Sequence, residues 1–323
     1  MMLKVFTAND IRRLLPIGEA VDAMREAFSA LSNRSAQVPL RTTVDMPDGI
    51  SRSLFMPVCL PETGLAGIKS VSIFPRNSST GLPTLHGLMM IFSAENGQPI
   101  ALMNAEALTA IRTGAASGLA TDLLARRDAT TLGLFGTGGQ AGSQVEGIMA
   151  VRTIRKIYVF GRNKEKAATF AARMHSKHLV DCVMSADPRD LHKCDIICTA
   201  TTSNEPVFED TLVKSGAHIN GIGSYKKTMR EIPVETLNRA LVFVDQREAV
   251  LAEAGDLAIP ISEGALSTAV ISGEIGDLVL GKIEGRHSDD EVTVFKSVGN
   301  AVQDLAAAAV ILKRKGEVQT IDV

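Results

Sequence analysis

A glycine-rich turn between an apolar segment and a helical one constrains the fold of this chain most. Residues 131–135 are apolar, residues 136–142 read Gly-Thr-Gly-Gly-Gln-Ala-Gly, and a helical pattern follows. In this Gly-x-Gly-x-x-Ala pattern Gly136 permits a tight turn, Gly138 lets the backbone approach a pyrophosphate, and Ala141 lets the helix pack closely on the strand. The free N–H groups and the dipole of the helix favour a negative charge there. The pattern predicts a dinucleotide-binding turn, and an ordinary turn is the alternative.

A second apolar segment, residues 156–160, follows after a helix-length interval and completes a βαβ unit. An NAD-preferring site usually has Asp or Glu at the end of this strand, but here Gly161 is followed by Arg162 and Asn163. Arg162 can pair with a 2′-phosphate, so the loop favours NADP(H) over NAD(H), although the loop lets either form bind. A solvated surface arginine is the other interpretation of Arg162.

Composition excludes several classes of function. A chain of 323 residues with 45% apolar residues suits two globular domains, each with its own core. A net charge of -2 and 4% aromatic residues argue against nucleic-acid or membrane partners. The first residues lack a secretory signal and no segment is long enough to span a bilayer, so cytoplasm is the expected location. The 4 cysteines indicate buried free thiols, and the 6 histidines show no spacing typical of zinc, so no metal site is predicted.

The order of helical and extended patterns predicts an α/β protein with a Rossmann doubly wound parallel sheet and a second α/β domain. Helical patterns cover residues 8–32, 108–124 and 301–313. Strand patterns outside the turn cover residues 53–56, 67–74, 85–92, 196–200, 218–222 and 241–245. We expect one α/β domain of residues 1–121 with 302–323, onto which the last helix packs, and a nucleotide-binding domain of residues 122–301.

Three cationic side chains are candidates for the substrate site. Alternation along the strand places Lys69 on the face of Leu65 and Val71, where partial desolvation would lower its pKa and suit it to proton transfer. Arg112 stands in a helix among small residues, and Arg41 is expected on a strand; a guanidinium at either position can bind a carboxylate bidentately. A lysine that reaches water from a strand edge, and ordinary surface arginines, are the alternatives.

An ordered set of motifs resembles the ornithine cyclodeaminase/mu-crystallin family over nearly the whole chain. Besides the glycine turn, the motifs are residues 64–71, 81–87, 108–117, 253–257 and 296–301. The resemblance implies a homodimer formed through the first domain, NAD(P) on the Rossmann domain, and hydride transfer at the α-carbon of an amino acid. Cyclodeaminases, alanine dehydrogenases, imine reductases and a binding protein share this fold, so the resemblance does not choose among them.

The resemblance also implies roles for individual residues. Arg41 and Arg112 would hold the substrate carboxylate, and Lys69 would contact the substituent of the reacting carbon or its carboxylate. Predicted cofactor contacts come from the glycine turn (Gly136, Gly138, Gly139, Gln140, Ala141), the next loop (Arg162, Asn163) and the family pattern (Thr113, Gly114, Thr199, Ala200, Thr201, Ser297, Val298, Gly299).

One loop departs from the family pattern. An Asp commonly stands in the family at the position of Tyr225 or of Thr228, and this chain has neither. Cyclodeamination needs such a base, whereas imine reduction needs only a proton, from Lys69 or water, with Tyr225 or Thr228 as a relay. We therefore predict an NAD(P)H-dependent reductase of a small imino acid or cyclic imino carboxylate, reversible as an amino-acid dehydrogenase. Ornithine cyclodeaminase, with tightly bound NAD⁺ and another base, and a non-catalytic crystallin-like binding protein are the alternatives.

Overall fold

The computed structural model describes residues 2–314 and 318–322. The chain forms two compact units, one of residues 1–113 with 300–323 and one of residues 114–299. The sequence placed these boundaries at 121/122 and 301/302. Within the predicted terminal segment 302–323, residues 315–317 and 323 lie outside the described residues.

The first unit is built on a mixed sheet with helices packed on one face. Its strands are β1 (Met2–Phe6), β2 (Thr42–Asp45), β3 (Arg52–Leu60), β4 (Leu65–Ile73), β5 (Leu85–Ser93), β6 (Pro99–Asn104) and β15 (Gln319–Asp322). Its helices are α1 (Ala8–Leu14), α2 (Ile17–Ser32) and α10 (Ala301–Lys313), with short 3-10 helices at Pro61–Thr63 and Pro75–Ser79. Helix α3 (Ala105–Leu124) begins in this unit and ends in the second.

The described strands of this sheet lie in the order β15-β1-β6-β5-β4-β3-β2. Strands β3, β4, β5 and β6 pair antiparallel in sequence order, and β1 pairs parallel with β6. Helix α10 packs on β3 and β4 and against α2. Its first turns therefore face the buried side of β4, the strand that carries Lys69.

The second unit alternates strands and helices around a parallel sheet. Its strands are β7 (Thr131–Phe135), β8 (Lys156–Phe160), β9 (Asp181–Met184), β10 (Ile196–Thr199), β11 (His218–Gly221), β12 (Leu241–Val244), β13 (Ile271–Glu274) and β14 (Thr293–Lys296). Its helices are α4 (Ala141–Met149), α5 (Lys164–His178), α6 (Val234–Arg239), α7 (Arg247–Glu253), α8 (Gly255–Ser262) and α9 (Ile275–Val279), with 3-10 helices at Pro188–Lys193, Asp210–Leu212 and Thr268–Val270.

The strands of this sheet run in the order β13-β12-β14-β11-β10-β7-β8-β9, and every neighbouring pair is parallel. Successive side chains point to opposite faces, so Ile196 and Cys198 join one hydrophobic core while Ile197 joins the other. A sheet with a core on each face is typical of doubly wound folds. The predicted fold class, a Rossmann-type doubly wound parallel sheet with a second α/β unit, is confirmed.

Several boundaries differ from the sequence interpretation in ways that proline and strand pairing explain. The helical pattern of residues 8–32 is two helices, because Pro16 lies between them and cannot continue a helix. Arg41 lies one residue before β2 rather than on a strand. Among the described residues, no helix combines the length and the apolar character that crossing a membrane requires.

Candidate active site

Lys69 points into the core of the first unit from the middle of β4. Its strand neighbours are Met56 on β3 and Met89 on β5, both buried, and only 2% of the Lys69 surface is exposed. The predicted placement of Lys69 on an apolar strand face therefore agrees with the structure. A lysine held there loses most of its hydration, which is costly unless a partner compensates the charge.

Asp304 on α10 is that partner and connects Lys69 to Arg112. Lys69 Nζ donates to Asp304 Oδ2 at 2.5 Å and to Thr109 Oγ1 at 3.4 Å. Arg112 Nε donates to Asp304 Oδ1 at 3.1 Å, and Arg112 Nη1 donates to Gln303 Oε1 at 2.7 Å. Strand β4, α3 and α10 thus bring two cations and one carboxylate to a single buried place.

The electrostatics of this cluster bring Lys69 close to a neutral titration range. Burial is the main effect and lowers the pKa of Lys69 to about 8, while the negative charge of Asp304 opposes it and the positive charges of Arg112 and Arg41 add to it. An amine with a pKa near the working pH can both hold a proton and give it away.

The cluster contains more positive than negative charge. Arg112 is 5% exposed, Lys69 is nearly as buried, and Asp304 is completely buried. Arg41, which is half-buried, acts electrostatically on the same lysine. Because buried charges in proteins are normally paired, the excess cation fits an anionic ligand such as a carboxylate.

The predicted cofactor residues of the second unit lie at one edge of its sheet. Phe135, Thr199, Gly221 and Lys296 are paired across neighbouring strands, so the segments that follow β7, β10, β11 and β14 all leave the sheet at the same end. Strand β8, which lies beside β7 on its other side, ends there too. The chain order reverses between β7 and β10, and ligands of doubly wound sheets bind outside the carboxyl ends at such a switch point.

The glycine turn has the shape that a dinucleotide requires. Gly136 has a φ of 101°, and a Cβ there would come within 2.5 Å of the Ala200 carbonyl oxygen, so only glycine fits. A Cβ on Gly138 or on Gly139 would meet no atom within 4 Å, which leaves space beside the backbone. Helix α4 begins at Ala141, and the N–H groups of its first turn have no acceptor within the helix. These residues fit the pyrophosphate of a nicotinamide dinucleotide.

Gly114 lies against α4, the helix that follows the glycine turn. A Cβ on Gly114 would overlap the carbonyl oxygen of Ser143 in the first turns of α4. The neighbouring Thr113 is buried, and its hydroxyl donates to the Thr109 carbonyl at 2.6 Å. The structure therefore gives Gly114 a packing role, and its predicted contact with the cofactor stays a prediction.

Glu231 ties the segment that follows β10 to the loop that follows β11. Its carboxylate accepts from Thr199 Oγ1 at 3.0 Å, Thr201 N at 2.6 Å, Gly223 N at 2.6 Å and Ser224 N at 3.1 Å. Burial raises the pKa of Glu231, an effect that the nearby Lys296 opposes. Glu231 thus fixes the segment of Thr199 and Thr201, which the sequence assigned to the cofactor, and the start of the loop that carries Tyr225 and Thr228.

Asp245 fixes the segment that follows β14, residues 297–299. Its Oδ2 accepts from Ser297 Oγ at 2.8 Å, Val298 N at 3.0 Å and Gly299 N at 2.7 Å, and the carboxylate is buried. The three predicted residues therefore form one turn around a single carboxylate at the end of β14.

The remaining predicted residues lie in the loops after β8 and β11. Arg162 is exposed, and Asn163 caps α5 by accepting from Lys166 N at 2.9 Å. Tyr225 is half-buried with the Lys226 ammonium 5.5 Å from its ring centre, and Thr228 is exposed. The pairing of the strands brings these loops to the same end of the sheet as the glycine turn.

Four acidic or amide side chains of these networks were missed from the sequence: Glu231, Asp245, Gln303 and Asp304. A usable signal existed for the last two, because Gln303 and Asp304 are adjacent polar residues within an otherwise apolar helix. A polar pair on a buried helix needs partners inside the protein. Glu231 and Asp245 carried no such signal, because their partners come from loops that only the fold brings together.

The chain is similar to known proteins over nearly its whole length. The model of the ornithine cyclodeaminase/mu-crystallin family matches residues 2–318. Delta(1)-pyrroline-2-carboxylate reductase of Bacillus cereus is 37% identical over 312 residues, which cover 96% of both chains.

Two solved structures share the fold over nearly the whole chain. Thermococcus litoralis Delta(1)-pyrroline-2-carboxylate reductase, in complex with NADH and L-proline, has a TM-score of 0.92 at 35% identity and covers 96% of both chains. An archaeal alanine dehydrogenase dimer with bound NAD has a TM-score of 0.92 at 31% identity and covers 100% of this chain and 99% of its own. This chain belongs to the ornithine cyclodeaminase/mu-crystallin family.

Proposed function

We propose that the protein is an NAD(P)H-dependent reductase of a small imino acid or cyclic imino carboxylate, reversible as an amino-acid dehydrogenase. The observation that carries this proposal is the buried cluster in which Lys69 and Arg112 share the single carboxylate of Asp304. This excess of positive charge suits a substrate carboxylate, and Lys69 suits the nitrogen beside it.

The predicted enzyme class is confirmed by the relatives. Pyrroline-2-carboxylate reductase and alanine dehydrogenase are oxidoreductases that act on C=N or CH–NH2 groups, and this chain matches each over nearly its whole length. For this protein we place the substrate among 2-imino carboxylates that are small or closed into a ring.

Each residue of the first unit has a proposed task. Arg112 and Arg41 bind the substrate carboxylate, and Lys69 donates a proton to the imine nitrogen. The planar guanidinium matches two carboxylate oxygens, whereas the lysine ammonium is a mobile proton donor with a pKa of about 8. Tyr225 and Thr228 are proposed as proton relays, which Tyr225→Phe and Thr228→Val would test.

The second unit is proposed to hold the cofactor along the carboxyl edge of its sheet. Gly136, Gly138, Gly139, Gln140 and Ala141 would surround the pyrophosphate. Thr113, Gly114, Thr199, Ala200, Thr201, Ser297, Val298 and Gly299 would contact the rest of the molecule. When bound, the nicotinamide supplies the hydride that reduces the imine carbon.

We further propose a preference for NADP(H), which rests on the loop after β8. Arg162 is exposed there, and no Asp or Glu stands between Gly161 and Lys164 to repel a 2′-phosphate. The Arg162→Ala variant should raise the KM for NADPH roughly tenfold and leave that for NADH, since a hydrogen bond to a charged group contributes ~1.5 kcal/mol. Arg173→Ala, which removes a cation from α5, the helix that follows Arg162, should change neither KM. Equal use of both cofactors by wild type would remove this preference.

The proposed assembly is a homodimer formed through the free face of the first sheet. On β5, Met89 and Ile91 are completely buried, but Leu88 is 52% and Met90 36% exposed. The similar archaeal alanine dehydrogenase is a dimer, and in this protein a second copy would cover the apolar face of β5. Light scattering should give twice the chain mass for wild type and one chain mass for Leu88→Lys/Met90→Lys.

The proposed location is the cytoplasm, because Cys182, Cys194 and Cys198 are free thiols.

The experiment that tests the function is a panel of assays on one preparation. NADPH and NADH oxidation is followed with cyclic imino acids, with pyruvate plus ammonia or methylamine, and with oxaloacetate plus ammonia. Oxidation with an imine supports the proposal and defines its substrate. Ammonia release from ornithine with NAD⁺, without net cofactor reduction, would instead show a cyclodeaminase. Cofactor binding without either reaction would show a binding protein.

A further inference from the structure

Asp304 faces Lys69 from α10, a helix that carries none of the residues proposed to bind the substrate. The charged groups that act on the lysine are Asp304 from α10, Arg112 from α3 and Arg41 from the segment before β2. Thr109 of α3 adds a neutral hydroxyl. Asp304 is the one negative charge among these groups, and it sits 2.5 Å from Nζ.

The balance of charges depends on that carboxylate. Burial and two neighbouring guanidinium groups favour the neutral amine, and only Asp304 favours the ammonium form. The same carboxylate accepts from Arg112 Nε at 3.1 Å, so it fixes the direction of the lysine and the arginine together. Removing it would leave two buried cations side by side without compensation.

We propose that Asp304 is a positioning residue that keeps Lys69 protonated and aims its ammonium group at the substrate nitrogen. The inference rests on the proposed function and deepens it, because it assigns the source of the proton and the group that maintains it. Asp304 touches neither substrate nor cofactor in this account and acts through Lys69.

A hydride forms the new C–H bond at the imine carbon and the nicotinamide is oxidised, while the electron pair of the C=N π bond passes to nitrogen. That pair forms an N–H bond as the N–H bond of the Lys69 ammonium breaks, which leaves a neutral amine. The amine regains a proton from water, and the negative charge of Asp304 favours this return.

The test is the pH dependence of two quantities, kcat/KM for imine reduction and the affinity for pyrrole-2-carboxylate measured by calorimetry on the cofactor-loaded enzyme. Both should fall in wild type as pH rises through about 8, where Lys69 loses its proton. In Asp304→Asn the fall should begin lower by about one pH unit or more, the shift expected for a lost opposite charge within contact distance. Lys69→Arg, whose side chain stays charged, should bind the probe without such a fall.

Asp195→Asn is the matched control. Asp195 is also a buried aspartate between an arginine and a lysine, with Arg126 at 2.9 Å and Lys214 at 2.6 Å, but it belongs to the other unit. This variant should lose stability without moving the pH at which binding falls. A merely structural role of Asp304 would give the same result in both variants.

The decisive quantity is the pH at which the affinity for pyrrole-2-carboxylate falls. If Asp304→Asn does not fold, Gln303→Glu adds a carboxylate beside the same cations and should move the fall to higher pH. A fall at the wild-type pH in whichever of these variants folds would overturn the proposal. Binding of pyrrole-2-carboxylate needs no turnover, so the role of Asp304 can be tested even if no imine is reduced. The absence of imine reduction would overturn the proposed function and not the role of Asp304.

Discussion

Gly114 on α3 and Gly147 on α4 meet backbone to backbone, and neither has room for a side chain. A Cβ on Gly147 would overlap the carbonyl oxygen of Gly114, and a Cβ on Gly114 would overlap that of Ser143. This crossing places α3 against the helix that begins at the glycine turn. The small residues that made the α3 sequence look suited to a ligand are therefore required first by helix packing.

Because of this crossing, we expect alanine substitutions at two glycines of α4 to differ strongly in their effect on the free energy of unfolding. Gly147→Ala should lower the free energy of unfolding by about 2 kcal/mol, a typical cost of overpacking. Gly142→Ala, also on α4, places its Cβ in open space and should be neutral or stabilising by up to ~1 kcal/mol because alanine favours the helix. Urea unfolding of the cofactor-free protein measures both. Equal stability of the two variants would mean that the helices do not cross this closely.

The glycine turn predicts that two substitutions fail in different ways. Gly136→Ala should destabilise the fold by about 2 kcal/mol, because the residue has a φ of 101° and its Cβ would lie 2.5 Å from Ala200 O. Gly138→Ala should fold normally, since its Cβ meets no protein atom within 4 Å, but should raise the Kd for NADPH about tenfold or more by obstructing the pyrophosphate. Thermal unfolding and fluorescence titration separate the effects. Wild-type affinity in Gly138→Ala would place the pyrophosphate elsewhere.

Glu231 predicts a coupled loss of stability and cofactor affinity. Glu231→Gln replaces an acceptor by an amide, so one or more of the N–H groups of Thr201, Gly223 and Ser224 loses its bond. We expect the free energy of unfolding to fall by roughly 2 kcal/mol and the Kd for NADPH to rise. Urea unfolding and cofactor titration are the measurements. Glu205→Gln, whose side chain lies on an exposed part of the same region, should change neither quantity.

Lys69 predicts a separation of turnover from cofactor binding. Lys69→Ala should lower kcat by about 100-fold or more, the range of general acid catalysis, and leave the Kd for NADPH unchanged because Lys69 is assigned to the substrate and not to the cofactor. Lys214→Ala, which removes an ion-paired lysine elsewhere, should retain turnover. Stopped-flow reduction and cofactor titration give the two quantities. Unchanged turnover in Lys69→Ala would exclude Lys69 from the mechanism.

Local patterns predicted the elements of this fold well and the side-chain networks poorly. Strand β8 and helix α10 have the predicted bounds, because apolar residues dominate both segments. Strands β1, β9, β13 and β14 were missed, because they are short and no neighbouring glycine turn marks them, whereas β8 follows the glycine turn at the spacing of a βαβ unit. The partnership of Lys69 and Asp304 spans 235 positions along the chain and depends on α10 docking on β4, which no local pattern encodes.

The stoichiometry of the reaction with Delta(1)-pyrroline-2-carboxylate tests the proposed imine reduction. NADPH oxidation and proline formation are measured in the same sample, with ornithine plus NAD⁺ run in parallel for ammonia release. We expect one proline formed per NADPH oxidised and no ammonia from ornithine. A smaller or larger imino acid that replaces this substrate would still fit, but no NADPH oxidation with any imino carboxylate, together with ammonia from ornithine, would contradict the proposed imine reduction.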